Sequence, residues 1–355
     1  MSEEHNRRFK GRGALGNPAN RFAVMNRELV DDGWGTPGRR PEPIRTTLTV
    51  DRARTVISYN TSPDVPFDRS INPYRGCEHG CIYCFARPTH AWLGLSPGLD
   101  FESRLFYKQD AAALLKEEIN KKNYRCRPIA VGINTDAYQP VERKLGITRA
   151  ILEVLAEHKH PLSIVTKSAL IERDIDILAA LAQQRLVHIA VSITTLDQHL
   201  ARALEPRAST PGRRLGIVER LSAAGIPVMV LVAPLIPVLT DSELETILSA
   251  ARDAGASSAG YVLLRLPHEL GEMFAEWLEV HAPGKAGHVM NRIRDCRQGK
   301  DYDAGFGKRM TGEGVFAQLI QKRYRLAMQK LDFPGTEDLD TTLFRPATAA
   351  QMALF

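Results

Sequence analysis

Three cysteines within one short loop are the first feature of this 355-residue sequence able to do chemistry. The run Arg75-Gly76-Cys77-Glu78-His79-Gly80-Cys81-Ile82-Tyr83-Cys84-Phe85 spaces them C-x3-C-x2-C. Thiolates are soft metal ligands, and three from one loop can hold one metal centre. A 4Fe-4S cluster usually takes four cysteines, so three leave one iron open to an exogenous molecule, which implies reaction rather than scaffolding. The competing reading is a zinc ion completed by His79 or His90, although the sequence has no second cysteine pair and none of the usual zinc spacings. Cys126 and Cys296 stand apart in sequence and read as inert thiols. Five cysteines in a chain without a secretory signal argue against a disulfide framework.

A loop of this kind must be carried by rigid elements. From about Ile71, short β-branched runs alternate with segments of helical period. Arg69 to Pro73, Pro128 to Asn134, Leu162 to Thr166, Leu186 to Thr194, Ile226 to Ala233 and Ser258 to Leu264 read as strands. Helices are expected at Ala111 to Lys121, Thr148 to Lys159, Ile171 to Gln183, Gly212 to Ala224 and Ser242 to Ala254. Such alternation predicts parallel strands with helical crossovers, an α/β fold of about six β/α units, with the active site at the carboxyl ends of the strands. Residues 1–65 read as an irregular basic N-terminal arm, 66–267 as a partial (β/α)6 barrel, 268–331 as a basic helical C-terminal extension and 332–355 as an extended tail.

With Tyr83 just before the last cysteine, the Cys77, Cys81 and Cys84 motif resembles the signature of the radical S-adenosylmethionine (radical SAM) superfamily. The resemblance runs from about Arg69 to Arg325 and narrows to a branch similar to spore photoproduct lyase, whose members are mostly uncharacterised. It is carried further by Gly132-Ile133-Asn134-Thr135-Asp136, by Thr166-Lys167-Ser168 and by Ser192 with Thr194, each at the end of an expected strand. It implies a 4Fe-4S cluster on the three cysteines, with S-adenosylmethionine on the open iron and cleaved to a 5′-deoxyadenosyl radical. It also implies roles for Tyr83 beside the adenine, Thr135 and Asp136 at the methionine amino group, Lys167 at the carboxylate and Ser192 at the ribose. Loop and helix-cap duty is the plain alternative for Thr135, Asp136, Lys167 and Ser192, with Thr135 and Asp136 able to cap the following helix, and a core aromatic is the plain alternative for Tyr83. One departure stands out: the lyase has a hydrogen-donating cysteine beside its second-strand motif, and Gly132 to Asp136 contains none.

Composition limits the possible partners. At 44% hydrophobic and 25% charged residues the chain is an ordinary globular protein, and its apolar run from Ile226 to Leu239 is interrupted by prolines and too short to span a bilayer. The charged N-terminus has no apolar segment of the secretory type, so a cytoplasmic location is expected. The net charge of +6 allows a nucleic-acid partner. Arg292, Arg294, Arg297, Lys300, Lys308, Arg309, Lys322, Arg323 and Arg325, interleaved with Tyr302, Phe306 and Tyr324, suit phosphate and base contacts or an ordinary charged surface. Arg207, Arg213 and Arg214 read as a phosphate clamp or a solvated helix start. The terminal Gln351-Met352-Ala353-Leu354-Phe355 resembles the peptide by which bacterial repair proteins dock on the DNA sliding clamp. The expected function is radical chemistry on damaged or modified DNA, fed by a reductant such as flavodoxin or ferredoxin. The alternatives are radical modification of a protein, RNA or small molecule, or a non-catalytic iron-sulfur protein.

Overall fold

The computed structural model describes residues 11–23 and 44–346. Its strands are β1 (Thr47–Val50), β2 (Ile57–Tyr59), β3 (Arg69–Ile71), β4 (Tyr74–Arg75), β5 (Arg104–Tyr107), β6 (Ile129–Val131), β7 (Leu162–Thr166), β8 (Val187–Ser192), β9 (Val228–Leu235) and β10 (Ser258–Leu263). The main sheet has the order β10-β9-β8-β7-β6-β3-β2. Six of these strands, β3 and β6 to β10, run parallel in sequential order, and β2 adds to β3 antiparallel. The sheet stays open, as a partial (β/α)6 barrel, because β10 and β2 are edges that do not pair with each other. A second sheet, β1-β5-β4, sits beside the cysteine loop.

Five helices make the crossovers: α1 (Ala111–Ile119), α2 (Ile147–Glu157), α3 (Ile175–Ala182), α4 (Pro211–Ala223) and α5 (Leu244–Asp253). Their apolar stripes, such as Ile151, Leu152 and Leu155 on α2, bury against Ile164, Ile189 and Val230 of the strands in one core. Side chains alternate along a strand, so Val165 and Leu231, next to buried Ile164 and Val230, point to the opposite face and line the concave cavity. The stretch expected as one helix at Ile171 begins as a 3-10 turn over Ala169–Asp174, started by Ser168 accepting from the Leu170 amide at 3.2 Å.

The helical extension expected over 268–331 is three helices, α6 (Leu270–His281), α7 (Ala286–Asp295) and α8 (Gly314–Leu331), with non-helical residues 296–313 between the last two. Gly312 and Gly314, both at positive φ, allow the chain to turn back before α8 packs on α5. Residues 332–346 cross the amino-terminal edge of the sheet. The Gly335, Asp340 and Arg345 amides bond the carbonyls of Ser257, Arg185 and His158, the residues leading into β10, β8 and β7. Among the described residues no helix is long and apolar enough to cross a membrane.

Candidate active site

The cysteine loop leaves β4 through Gly76, whose φ of +79° and crowding by Phe101 O and the His90 ring exclude any side chain. The loop is held mostly by backbone bonds, including Cys77 N to Phe101 O at 2.9 Å, Cys84 N to Cys81 O at 3.2 Å and Ile82 N to Leu204 O at 3.0 Å. Beneath it, Arg87 donates to Cys81 O at 2.8 Å, Gly80 O at 2.9 Å, and Pro97 O and Gly98 O at 3.0 Å each, and it pairs with Glu102. Glu102 also accepts the amides of Gly13 at 3.0 Å and Ala14 at 2.8 Å, tying the N-terminal segment to the loop. A Cβ on Gly13 would stand 1.8 Å from Gly80 O, so this approach requires glycine.

Cys77, Cys81 and Cys84 line one cavity of about 630 Å³ at the carboxyl ends of the parallel strands. Burial raises all three thiol pKa values, that of Cys81 to about 12, and the charges of Cys81 and Cys84 add to the rise at Cys77. Three clustered thiols of this kind favour ionisation only when a metal neutralises them. Among the described residues no three His, Cys, Asp or Glu side chains converge on one point as a single metal ion requires. Thiolates that each bind a separate iron need no such convergence, so the donor set fits a cluster better than a zinc ion. Of the two zinc-completing candidates, His90 lies outside the cavity, its Nε2 donating to Arg104 O at 3.0 Å, while His79 lines the cavity and faces Asp136 at 3.4 Å.

The strand ends supply a polar wall. Lys167 Nζ, just beyond β7, donates to Ser192 Oγ at 2.6 Å and Ala233 O at 3.1 Å, and stands 3.2 Å from Glu205. Tyr83 is buried beside Lys167, its hydroxyl donating to Glu205 and lying 3.1 Å from Thr194 Oγ1. Burial opposes ionisation of Glu205, but the charges of Arg214 and Lys167, then hydrogen bonds from Arg214 and Tyr83, hold its carboxyl well below the usual range. Asp136 also lines the cavity, yet its oxygens accept from Thr166 Oγ1 at 2.8 Å, the Lys167 amide at 2.7 Å and the Tyr138 amide at 2.8 Å. It therefore positions β7 and caps its own turn. Thr135 does not line the cavity: its hydroxyl donates to Tyr74 O at 2.8 Å.

Tyr83, Asp136, Lys167 and Ser192 thus share one cavity with the cysteines, and Thr135 lies behind it. The three arginines after β8 do not form a clamp, because each has its own carboxylate: Arg207 pairs with Glu78 at 2.9 Å, Arg213 with Glu172 at 2.6 Å and buried Arg214 with Glu205. Most of the basic segment is also engaged. Arg292, Arg294 and Lys308 pair with Asp295, Asp301 and Glu313, Arg309 with Asp64 and Arg323 with Glu245, while Arg297 is buried on carbonyls. Tyr324 donates to Ala259 O at 2.8 Å and Tyr302 is half-buried, so of the three interleaved aromatics Phe306 is the exposed one. Cys126 and Cys296 lie outside the cavity. The motif at Gln351, Met352, Leu354 and Phe355 falls outside the described residues.

Glu205, Arg87 and Glu102 carry the site and have no motif of their own. A Glu placed nine residues before an Arg signals nothing in sequence until both are buried together.

A family model described as the radical SAM superfamily matches residues 71–251. An uncharacterized protein of Mycobacterium tuberculosis (strain ATCC 25618 / H37Rv) is 38% identical over 265 residues, 74% of this chain and 76% of that protein. An uncharacterized protein of Methanocaldococcus jannaschii is 29% identical over 173 residues, 49% of this chain and 62% of its own length. Among solved structures, a spore photoproduct lyase with one cysteine replaced by serine has a TM-score of 0.58 at 17% identity, over 81% of this chain and 80% of that one. A doubly substituted spore photoproduct lyase with bound AdoMet and dinucleoside spore photoproduct has a TM-score of 0.57 at 17% identity, over 83% and 82%. At that identity the likeness is one of fold.

Proposed function

The chain belongs to the radical SAM superfamily, and we propose that this radical SAM enzyme acts on damaged or modified DNA. The observation that carries the catalytic reading is the single cavity onto which three buried thiols, Lys167 and Ser192 open together. Cys77, Cys81 and Cys84 would each hold one iron of a 4Fe-4S cluster, leaving the fourth for S-adenosylmethionine. Bound there, cluster and cofactor supply reductive cleavage to methionine and a 5′-deoxyadenosyl radical. The chain's own part is to bind and shield. Lys167 offers an ammonium to the cofactor carboxylate, Ser192 a hydroxyl, and Tyr83 a ring whose position is fixed by Glu205. The apolar strand face at Val165, Leu231 and Val262 keeps water from a reactive intermediate.

DNA as substrate is supported by the fold shared with a lyase whose structure holds a dinucleoside photoproduct, by the +6 net charge and by the clamp-like terminal peptide. A cytoplasmic protein recruited to DNA by the sliding clamp and reduced by flavodoxin or ferredoxin follows from that reading. One observation favours a second reading: among the described residues the cavity is lined by no thiol beyond the three cluster candidates. The hydrogen return of a cysteine-dependent lyase is therefore not carried over, and radical modification of an RNA, protein or small molecule stands as the alternative. Anaerobic turnover on defined damaged oligonucleotides, scored for deuterium exchange with labelled cofactor, tests the proposal. Cofactor cleavage without exchange into any oligonucleotide would move the substrate out of DNA.

A further inference from the structure

Among the described residues, one cation of the cavity has neither a carboxylate nor a hydrogen-bond acceptor. Lys167 is held by Ser192 and Ala233 O, Arg309 donates to Asp64 at 2.5 Å, and Arg297, buried behind them, donates to Lys308 O at 2.8 Å and Leu264 O at 3.0 Å. Arg265, just past β10, also lines the cavity, and its guanidinium meets neither a hydrogen-bond acceptor nor a carboxylate among the described residues. It lies instead over the Phe85 ring, with Cζ 4.3 Å from the centroid. A cation over a ring face keeps its N–H donors for another ligand.

The electrostatics point the same way. Burial, the largest influence, pushes the Arg265 pKa down, and Arg309 and Arg297 push it further, against upward pulls from Tyr302 and Cys84. Asp136 is the one carboxylate among the lining residues, and its oxygens are already taken by His79, Thr166 and the Lys167 amide. A half-buried guanidinium flanked by other arginines is stabilised by an incoming anion. Phe85 beside it, and Tyr59 elsewhere on the same cavity, keep 37% and 64% of their surfaces exposed, flat apolar faces of the kind on which bases stack.

We propose that Arg265 is a substrate-binding residue that takes the phosphate of a nucleotide entering the cavity, with Phe85 holding the guanidinium in place. This rests on the reading of the cavity as a site of nucleotide chemistry and adds to it the residue and the group that recognise each other.

The test titrates the thymidine dinucleotide TpT and its uncharged methylphosphonate analogue into anaerobically reconstituted protein in the presence of S-adenosylmethionine. The wild type is expected to bind TpT about tenfold or more tightly than the neutral analogue, the scale of one charge-assisted hydrogen bond. Arg265→Gln should bind both alike, and Arg265→Lys should fall between, with iron content and S-adenosylmethionine affinity unchanged in both. Phenylglyoxal labelling read by peptide mass spectrometry should modify Arg265 in the free protein and spare it with TpT, though not with S-adenosylmethionine alone. A charge preference retained in Arg265→Gln overturns the assignment and leaves the DNA reading standing. Protection by S-adenosylmethionine alone, or weaker cofactor binding in Arg265→Gln, gives the residue to the cofactor and also overturns it. No binding of TpT by the wild type at millimolar concentration overturns the assignment, while the DNA reading stands or falls by turnover on damaged oligonucleotides.

Discussion

Arg87 and Glu102 form a fully buried ion pair directly beneath the cysteine loop, both side chains at 0% exposure. All five guanidinium donors are used, four on the carbonyls of Gly80, Cys81, Pro97 and Gly98 and one on Glu102. The pair fixes the direction of the loop carbonyls and so the side on which the thiols emerge. Removing one partner leaves a desolvated charge, so Glu102→Ala should cost about 3 to 5 kcal/mol of stability. Arg87→Lys, with three donors from one nitrogen, cannot reproduce the fork and should also lose stability and iron uptake. Thermal melts and iron per chain after anaerobic reconstitution measure both. An Arg87→Lys protein with normal iron content would show that the loop supports itself.

Replacing Cys77, Cys81 or Cys84 by Ala should remove the brown chromophore and 5′-deoxyadenosine formation, because each thiolate serves a separate iron. The fold should survive, since the loop is held by backbone bonds and Arg87 rather than by the thiols. Far-ultraviolet circular dichroism alongside iron and sulfide analysis checks both halves. A full cluster in any one variant would remove that cysteine from the ligand set.

Lys167 sits in a network with Ser192, Glu205 and Ala233 O that already orients its ammonium before any ligand arrives. Lys167→Ala should weaken S-adenosylmethionine binding by roughly 1.5 to 3 kcal/mol, the worth of a charged hydrogen bond, with cluster content unchanged. Ser192→Ala should weaken it less, since Ala233 O and Glu205 still hold the lysine. Anaerobic calorimetry decides, and equal affinity in Lys167→Ala and wild type would exclude a direct contact.

The periodic part of the sequence was the readable part. Leu162 to Thr166 is strand β7 to the residue, and the alternation of β-branched runs with helices is enough to imply parallel order, because crossovers need those helices. The three cysteines were legible because ligand chemistry depends on local spacing. Thr135 was misleading for the same local reason: it lies next to Asp136 in sequence, but the turn sends its hydroxyl to Tyr74 O, away from the cavity. Arg207, Arg213 and Arg214 look alike in sequence, yet Glu78, Glu172 and Glu205 arrive from three different elements to pair with them. Long-range partners of this kind have no sequence period, which is also why β4, β5 and the Arg87–Glu102 pair went unsignalled.

His160 gives the fold a pH dependence at its far end. It is fully buried, its Nδ1 donating to Pro161 O at 2.9 Å and its Nε2 2.7 Å from the Tyr124 hydroxyl, with Phe344 of the tail at 5.2 Å. Burial, followed by the charges of Arg69 and His158, lowers its pKa from 6.5 to about 4 despite the Pro161 bond. The unfolded chain therefore binds the proton more tightly. The contribution is fully present above pH 6.5 and is lost as pH falls through 6.5 towards 4, on the order of 3 kcal/mol in all. Urea melts at pH 7.5 and 5 should show the decrease, and His160→Gln, which keeps a donor and an acceptor, should flatten it. An equal slope in the variant would place the titration on another group.

The terminal peptide Gln351 to Phe355 should dock on the bacterial sliding clamp, Gln351 setting the register and Leu354 with Phe355 filling an apolar groove. A short extended peptide orders few residues and buries two anchors, so binding should be micromolar, about −8 kcal/mol at most. Contacts between the rest of the protein and DNA would raise the effective concentration enough for that affinity to recruit it. The described tail leaves from the amino-terminal edge of the sheet, where the Arg345 amide bonds His158 O, whereas the cysteine cavity opens at the carboxyl edge. Deleting residues 351–355 should therefore abolish clamp binding while iron content and cofactor cleavage stay at wild-type levels. Fluorescence anisotropy with a labelled peptide of residues 348–355 measures the first, and anaerobic single-turnover assays measure the second. If the peptide shows no saturable binding below about a millimolar, recruitment by the clamp is excluded, and support for DNA as substrate falls back on the fold and the charge.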